Sequence, residues 1–520
     1  MTEQVATAAR EGYLDRLVAF ARRRPSAVLL SVLAAHLAVW TILPILICPN
    51  LQLDLAEDLA FGKEWQLGYW KHPPLPWWIA DLSFRLTGTV DALYLLGPLA
   101  AVICFYAVWK LARELTDELT ALIAVLALEG IHYYNFSVVK FAHDQVQLPF
   151  WAFTGLFFYR ALRRGRLTDW ALAGAFLAGA FWSKYAAFAL AAALGLFLLI
   201  DPVARRAWRS GGPYVMALAF AIVIAPNVWW LVHDGFLPFQ YVDERARTAA
   251  HWYQYLVFPL QWSGGQLLTL LPTLALLALL YRRDESRPAL DADAIAAFNR
   301  RYVAMLALGP FLVTTAVAAV LGRLAIAMWG YPLWSFAPLA LLMWLKPRDE
   351  PLWLKPRDEP LRLKHFAAGA LVMLMAFPVI YLATEIGEPL LRDRPKATQF
   401  PGQAMADAIT RAWHERYGTP LVYAGGTEFA VNNLAVYSPD RPHVLPHGNP
   451  KLAPWVDMSD LARRGAVVVW EEGHLRARLE EWRATFGAFD VQPTLVLARQ
   501  TWNRRVASTH IIYAFVPPRP

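Results

Sequence analysis

Residues 27–47 read AVLLSVLAAHLAVWTILPILI, twenty-one positions without a charged side chain, and Arg16, Arg22, Arg23 and Arg24 stand just before them. A helix needs about 20 apolar residues to cross a hydrocarbon core, whereas the core of a cleaved leader is shorter. The stretch therefore reads as a retained first membrane helix. Runs of similar character recur at 90–109, 119–138, 147–162, 170–182, 185–200, 214–231, 267–281, 302–321, 325–344 and 366–383. With residues 27–47 they make eleven expected spans, and the chain reads as a polytopic α-helical membrane protein.

Composition supports this reading. The 520 residues are 57% hydrophobic and 17% charged, with a mean hydropathy of +0.33. Soluble domains carry about 25% charged residues, so a single soluble enzyme and a disordered scaffold are excluded. The 23 Trp, 20 Tyr and 28 Phe suit a bilayer boundary, where a ring with a polar handle meets apolar and wet surroundings at once. Two cysteines, Cys48 and Cys104, are too few for a disulfide framework or a thiolate metal site and read as packing residues. The net charge of +8 would suggest nucleic acid in a soluble protein. Here the basic clusters, Arg160, Arg163, Arg164 and Arg166, then Arg205, Arg206 and Arg209, then Arg282, Arg283 and Arg287, all fall in loops on one side. The positive-inside rule makes that side cytoplasmic, with the N-terminus, and an odd number of spans puts everything after residue 383 on the outer face. No nucleic-acid partner is expected.

Residues 385–520 have the composition of a soluble domain. Helices are expected at 404–417, 458–464 and 475–486, and strands at 420–424, 466–470, 491–498 and 509–516, which make a small α/β domain. The chain thus divides into a membrane domain, 1–384, and a soluble outer domain, 385–520. Gly425 and Gly426 follow a strand but lack the rest of a dinucleotide fingerprint. His443 and His447 lack metal-ligand spacing and read as surface groups. Residues 344–351 and 353–360 both read WLKPRDEP, a duplication in a solvated linker.

The outward loops carry the chemistry. The first, 48–89, contains two amphipathic stretches, 55–67 and 75–86, expected to lie along the interface. Asp54, Glu57 and Asp58 share one helical face by their i, i+3, i+4 spacing, an arrangement suited to a divalent cation or a proton-accepting site, or simply a solvated helix N-terminus. Lys71 and His72 precede Pro73 and Pro74, a rigid turn whose two basic side chains suit a phosphate. Asp144, in the short second outward loop, is an acid confined to the membrane surface. Lys184, Arg245, Arg247 and Arg323 add cations on the same side. Glu129 and His132, in or near the third span, read as a structural polar contact rather than a proton relay.

These residues resemble the bacterial multi-pass membrane glycosyltransferases of the GT-C type, the family-39 and 4-amino-4-deoxy-L-arabinose-transferase-like group related to protein O-mannosyltransferases. Asp54 stands fourteen positions before Gly68-Tyr69, and His72-Pro73-Pro74-Leu75 follows. Asp144 matches the second-loop acid of that group, Lys184-Tyr185 its Lys-Tyr, and Ala225-Pro226-Asn227-Val228-Trp229-Trp230 the end of its seventh helix. The likeness covers residues 27–345. One departure matters: the second acid of the usual pair is Leu55 here, so a second carboxylate must come from Glu57.

The resemblance implies a GT-C fold and an inverting transferase of the bacterial inner membrane. It would move a sugar from a polyprenyl-phosphate donor to lipid A, another envelope glycolipid, a glycan or a protein. Asp54 would be the general base, with Glu57 and Asp144 positioning it or holding Mg or Mn. Lys71, His72, Lys184, Arg245, Arg247 and Arg323 would neutralise the leaving lipid phosphate. The alternative is a multi-pass lipid or polysaccharide transporter, which would more naturally show repeat symmetry and polar spans.

Overall fold

A computed structural model describes residues 12–280, 294–345, 359–472, 476–501, 503 and 505–519. Arg282, Arg283, Arg287 and residues 346–358 of the duplicated linker lie outside the described residues. The chain divides into two compact units: Met1–Trp40, Gly97–Val139 and His143–Val379 form the first, and Thr41–Leu96, Lys140–Ala142 and Ile380–Pro520 the second. The acid-bearing loop after the first span thus groups with the C-terminal residues rather than with the membrane helices that follow it.

The first unit is helical. Among the described residues five helices are long and apolar enough to cross a membrane: Pro25–Ile47, Val90–Leu115, Gly212–His233, Ala294–Leu321 and Pro360–Leu391. Much of their apolar surface is exposed, as it is for Leu218, Ile222, Leu312, Val320 and Val372, which in water would be a severe liability. Shorter or Pro-containing helices, His143–Arg164, Leu167–Ser183, Phe188–Ile200 and Gln254–Ala278, account for other expected spans. A ribbon of two short antiparallel strands, β1 (Arg247–Thr248) and β2 (Arg323–Leu324), ties two loops together.

Two expected spans are not continuous helices. At 119–138 the helix Glu118–Leu126, capped by the Asp117 carboxylate accepting from Leu119 N and Thr120 N, gives way to short 3-10 turns. Asn135 replaces part of the lost ladder by donating to the carbonyls of Glu129 and Ile131. At 325–344 a 3-10 stretch, Ala327–Trp334, precedes the helix Ala337–Leu345. There Gln266 accepts from Trp334 Nε1 and donates to Ala327 O, and it sits where a Cβ on Gly330 would fall. Irregular backbone at membrane depth is tolerated when protein groups satisfy it. Glu129 also finds its partner: Oε1 lies 2.9 Å from His36 Nδ1 of the first apolar helix, the structural contact expected of it.

The second unit contains a six-stranded sheet of β3 (Tyr423–Gly426), β4 (His443–Pro446), β5 (Ala466–Glu471), β6 (Asp490–Val491), β7 (Leu495–Leu497) and β8 (Thr509–Val516). β4, β3 and β5 run parallel and β8 antiparallel to β5, with β6 and β7 paired to β8. Helix Met458–Arg464 and β8 occur at their expected bounds. Helix Glu428–Tyr437 and β4 were not expected. The helix starts directly after the Gly425-Gly426 pair and packs against Leu53–Gly62, the helix that carries the three acids.

Candidate functional site

Leu53–Gly62 departs from the interfacial helix expected of it: Leu55 through Gly62 are all buried. Its two inner acids are handled differently. Glu57 Oε2 accepts from Lys71 Nζ at 2.7 Å, and the same ammonium pairs with Glu428 of the new helix. Glu428 Oε2 lies 3.4 Å from His447 Nε2, and Trp70 packs edge-on to the His447 ring while Lys71 lies 5.0 Å from the Trp70 ring centre. Burial pushes the Glu57 carboxyl well above the usual range, against the Lys71 charge and with help from Glu428. Burial acts on Glu428 in the same sense, but hydrogen bonds from His447 and Glu57 and the Lys71 charge outweigh it and hold Glu428 below the usual range. The one ammonium of Lys71 thus faces two carboxyls, and the surroundings favour the ionised form of Glu428 over that of Glu57.

Asp58 is 1% exposed, and its Oδ2 has no hydrogen-bond partner among the described residues. Burial, then the charges of Glu57 and Asp54, raise its pKa well above the usual range. The Trp77 side chain and the Lys71 charge act in the opposite sense without outweighing them, so the site disfavours the ionised form of Asp58.

Asp54, in the first turn of the same helix, is only partly buried. It lines a cavity of about 290 Å³ together with Gln52, Lys140, Glu385, Lys396 and Thr398. Lys396 Nζ lies 3.0 Å from Glu388 and 3.7 Å from Glu385, and Lys140 is exposed. Asp54 thus shares a cavity with a second carboxylate, Glu385, and with two ammonium groups. His72, also partly buried, lies in the turn between the acidic helix and Leu75–Thr87.

The remaining expected residues lie in the first unit. Lys184 Nζ donates to both oxygens of Asp144, at 2.7 and 2.8 Å, and both side chains are buried. Arg323 pairs with Asp243 and donates to its carbonyl at 2.9 Å. Arg247 faces the Phe258 ring, and Arg245 ends the exposed helix Leu237–Arg245.

For Asp54, Glu57 and Asp144 a divalent cation was one possibility, beside positioning of the base. Among the described residues no three His, Cys, Asp or Glu side chains form a metal-holding group. Lysine ammonium groups already occupy the positions beside Glu57 and Asp144 that a cation would take.

Sequence reasoning missed Lys140, Lys396, Glu428 and His447. Nothing in the spacing links residue 57 to residue 428. Lys140 was legible as a cation of the second outward loop, beside Asp144. His443 and His447 are not plain surface groups: His443 Nδ1 lies 2.9 Å from both Glu64 oxygens.

Comparison with known proteins agrees with this architecture. The structure matches that of ArnT from Cupriavidus metallidurans, solved bound to undecaprenyl phosphate, with a TM-score of 0.58 at 12% identity, covering 95% of this chain and 99% of that one. The fold is therefore GT-C. Residues 71–230 match the dolichyl-phosphate-mannose-protein mannosyltransferase family model. Lipid A galacturonosyltransferase RgtD of Rhizobium johnstonii is 28% identical over 208 residues, 38% of this chain and 41% of that protein. Lipopolysaccharide core galacturonosyltransferase RgtA of the same organism is 27% identical over 226 residues, 42% and 44% of the two chains. The chain thus matches less than half the length of these two relatives.

Proposed function

We propose that the chain is an inner-membrane glycosyltransferase of the GT-C type that transfers a sugar from a polyprenyl-phosphate donor to lipid A or the lipopolysaccharide core. The observation that carries the reading is the shared cavity of Asp54, Lys140 and Lys396. A transfer to a hydroxyl needs a base for the proton and cations for the departing phosphate. Asp54 takes the proton of the acceptor hydroxyl as its oxygen bonds to the anomeric carbon. The bond from that carbon to the donor phosphate breaks with inversion, and the lysines stabilise the phosphate dianion that leaves. The undecaprenyl phosphate bound to ArnT supports the donor class, and the lipid A and core galacturonosyltransferases support the acceptor class. In this reading the cavity opens on the periplasmic face, the N-terminus is cytoplasmic, residues 1–384 are the membrane domain and 385–520 the outer soluble domain.

Lys71 acts here through Glu57 and Glu428 rather than directly on phosphate. His72 stays proposed as a donor-phosphate contact. Asp144 with Lys184, and Arg245, Arg247 and Arg323, enter the proposal as acid and cations of the other unit.

Purified protein supplied with labelled polyprenyl-phosphate sugar and lipid A tests this. Wild type should consume the donor and label the lipid, and Asp54→Asn should lose about 100-fold or more of the rate with an unchanged unfolding midpoint. Full activity of Asp54→Asn overturns the base assignment. Movement of the lipid-linked sugar across a bilayer without its consumption would indicate a transporter.

A further inference from the structure

A second cavity, of about 520 Å³, lies beside the one that holds Asp54, and the two share Glu385 and Thr398 in their walls. Ile45, Leu46 and Ile47, the last turn of the first apolar helix, form one side, and Ile386 and Leu390 another. Leu46 and Leu390 are exposed, so the cavity presents apolar surface that none of the described residues covers. Such a volume holds a sugar-phosphate headgroup with room for the start of an acyl chain.

Arg499 gives the cavity its charge. Its guanidinium is half-buried and lies 6.0 Å from the Phe400 ring centre. The segment that carries it is pinned: Gln500 N donates to Gln399 O at 3.0 Å, and Asn503 Nδ2 donates to Pro389 O at 2.8 Å. Glu385, the acid of the cavity wall, is already engaged by Lys396 and by the Thr398 hydroxyl. Among the described residues no carboxylate forms an ion pair with Arg499, and Glu471 acts on it only through its charge; a guanidinium carried on a pinned segment is a fork suited to a phosphate group.

We propose that this cavity seats the acceptor, a phosphate-bearing acylated glycolipid, with its phosphate on Arg499 and its chains along Ile45–Ile47, Ile386 and Leu390. The two shared wall residues then set a hydroxyl of the same headgroup within reach of Asp54. The inference rests on the transferase reading for the word acceptor, but lipid binding at Arg499 does not depend on turnover.

Binding to the purified full chain in detergent, read by native mass spectrometry, tests it. The probes are lipid A with its phosphates, enzymatically dephosphorylated lipid A, and a polyprenyl monophosphate. Wild type should bind phosphorylated lipid A at least about tenfold more tightly than the dephosphorylated form. Arg499→Glu should erase that preference, Arg499→Lys should keep part of it, and neither should change polyprenyl monophosphate binding. Arg499→Gln serves where Arg499→Glu does not fold, with the same loss of preference expected, and Ile386→Ser should weaken binding of both lipid A forms alike. Equal binding of both lipid A forms by wild type, or an unchanged preference in Arg499→Glu, overturns the proposal. Loss of polyprenyl monophosphate binding instead assigns the cavity to the donor and also overturns it. Lipid binding that follows this pattern in a protein that transfers no sugar would leave the site standing and remove the transferase reading.

Discussion

Glu57 and Lys71 form a buried ion pair at 2.7 Å, each with about a tenth of its side chain exposed. The pair joins the acidic helix to the turn that ends in Pro73-Pro74, and Glu428 closes it from a position 357 residues downstream of Lys71. Removing one partner of a buried pair leaves an uncompensated charge, at a cost of about 3–5 kcal/mol. Lys71→Met should therefore lower the unfolding free energy by about that amount. The double variant Lys71→Met with Glu428→Gln, which removes the carboxylate that Lys71→Met strands, should lose much less than the sum of the two single changes. A thermal or denaturant double-mutant cycle measures this, and additive losses would show that Lys71 and Glu428 are not coupled.

Asp58 gives a pH signature. Its pKa is raised in the folded protein, so between the unfolded value, about 4, and the raised value the folded state binds more protons than the unfolded one. Stability then falls as pH rises through that window. Asp58→Asn cannot ionise, and it should flatten the slope and raise the unfolding midpoint at neutral pH relative to wild type. Midpoints recorded against pH check this; a midpoint at pH 7 below that of wild type would mean that Asp58 is held ionised.

Lys184 holds Asp144 by both oxygens. Lys184→Met strands a buried carboxylate and should destabilise the protein by about 3–5 kcal/mol, whereas Lys184→Met with Asp144→Asn should recover most of the loss. Unfolding midpoints of the three variants decide it. A single variant as stable as wild type would show that Asp144 is neutral without its lysine.

Lys140 and Lys396 should act on the donor. Each change to Ala is expected to raise KM for the polyprenyl-phosphate sugar about tenfold, which corresponds to 1.4 kcal/mol, with less effect in high salt. Steady-state kinetics at two ionic strengths measure it. An unchanged KM in the double variant would remove both lysines from the donor site.

Lys71 contacts Glu57 and Lys184 contacts both oxygens of Asp144, so prolonged chelation should leave the transfer rate unchanged. A loss restored by Mg or Mn would reinstate a cation at a site other than these pairs.

Much of this was legible in the sequence, and what was not has identifiable causes. Hydropathy located the long apolar helices because composition alone decides whether a helix can cross a bilayer. It failed at 119–138 and 325–344, where Asn135 and Gln266 satisfy backbone that has left the helix. Hydropathy counts apolar residues and is blind to such bonds. Asp54 was placed by its distance from Gly68-Tyr69, a local relation. Glu428 was invisible because its significance lies in Lys71, and the Gly425-Gly426 pair drew attention to a phosphate loop instead of to the helix that starts after it. His447 was set aside for lacking metal-ligand spacing, yet its partner is a carboxylate.

The second unit is assembled from Thr41–Leu96, Lys140–Ala142 and Ile380–Pro520, which has a consequence for biosynthesis. Asp54, Glu57 and Lys71 leave the ribosome well before Glu428, which follows Lys71 by 357 residues. Closing so long an intervening chain is entropically costly and slow. A chain interrupted before residue 428 can insert its helices and display Asp54 while lacking half of the buried ion cluster. The cluster around Lys71 is thus completed only after residue 428 has been made, and a shorter fragment carries Asp54 without the Glu428 side of that framework.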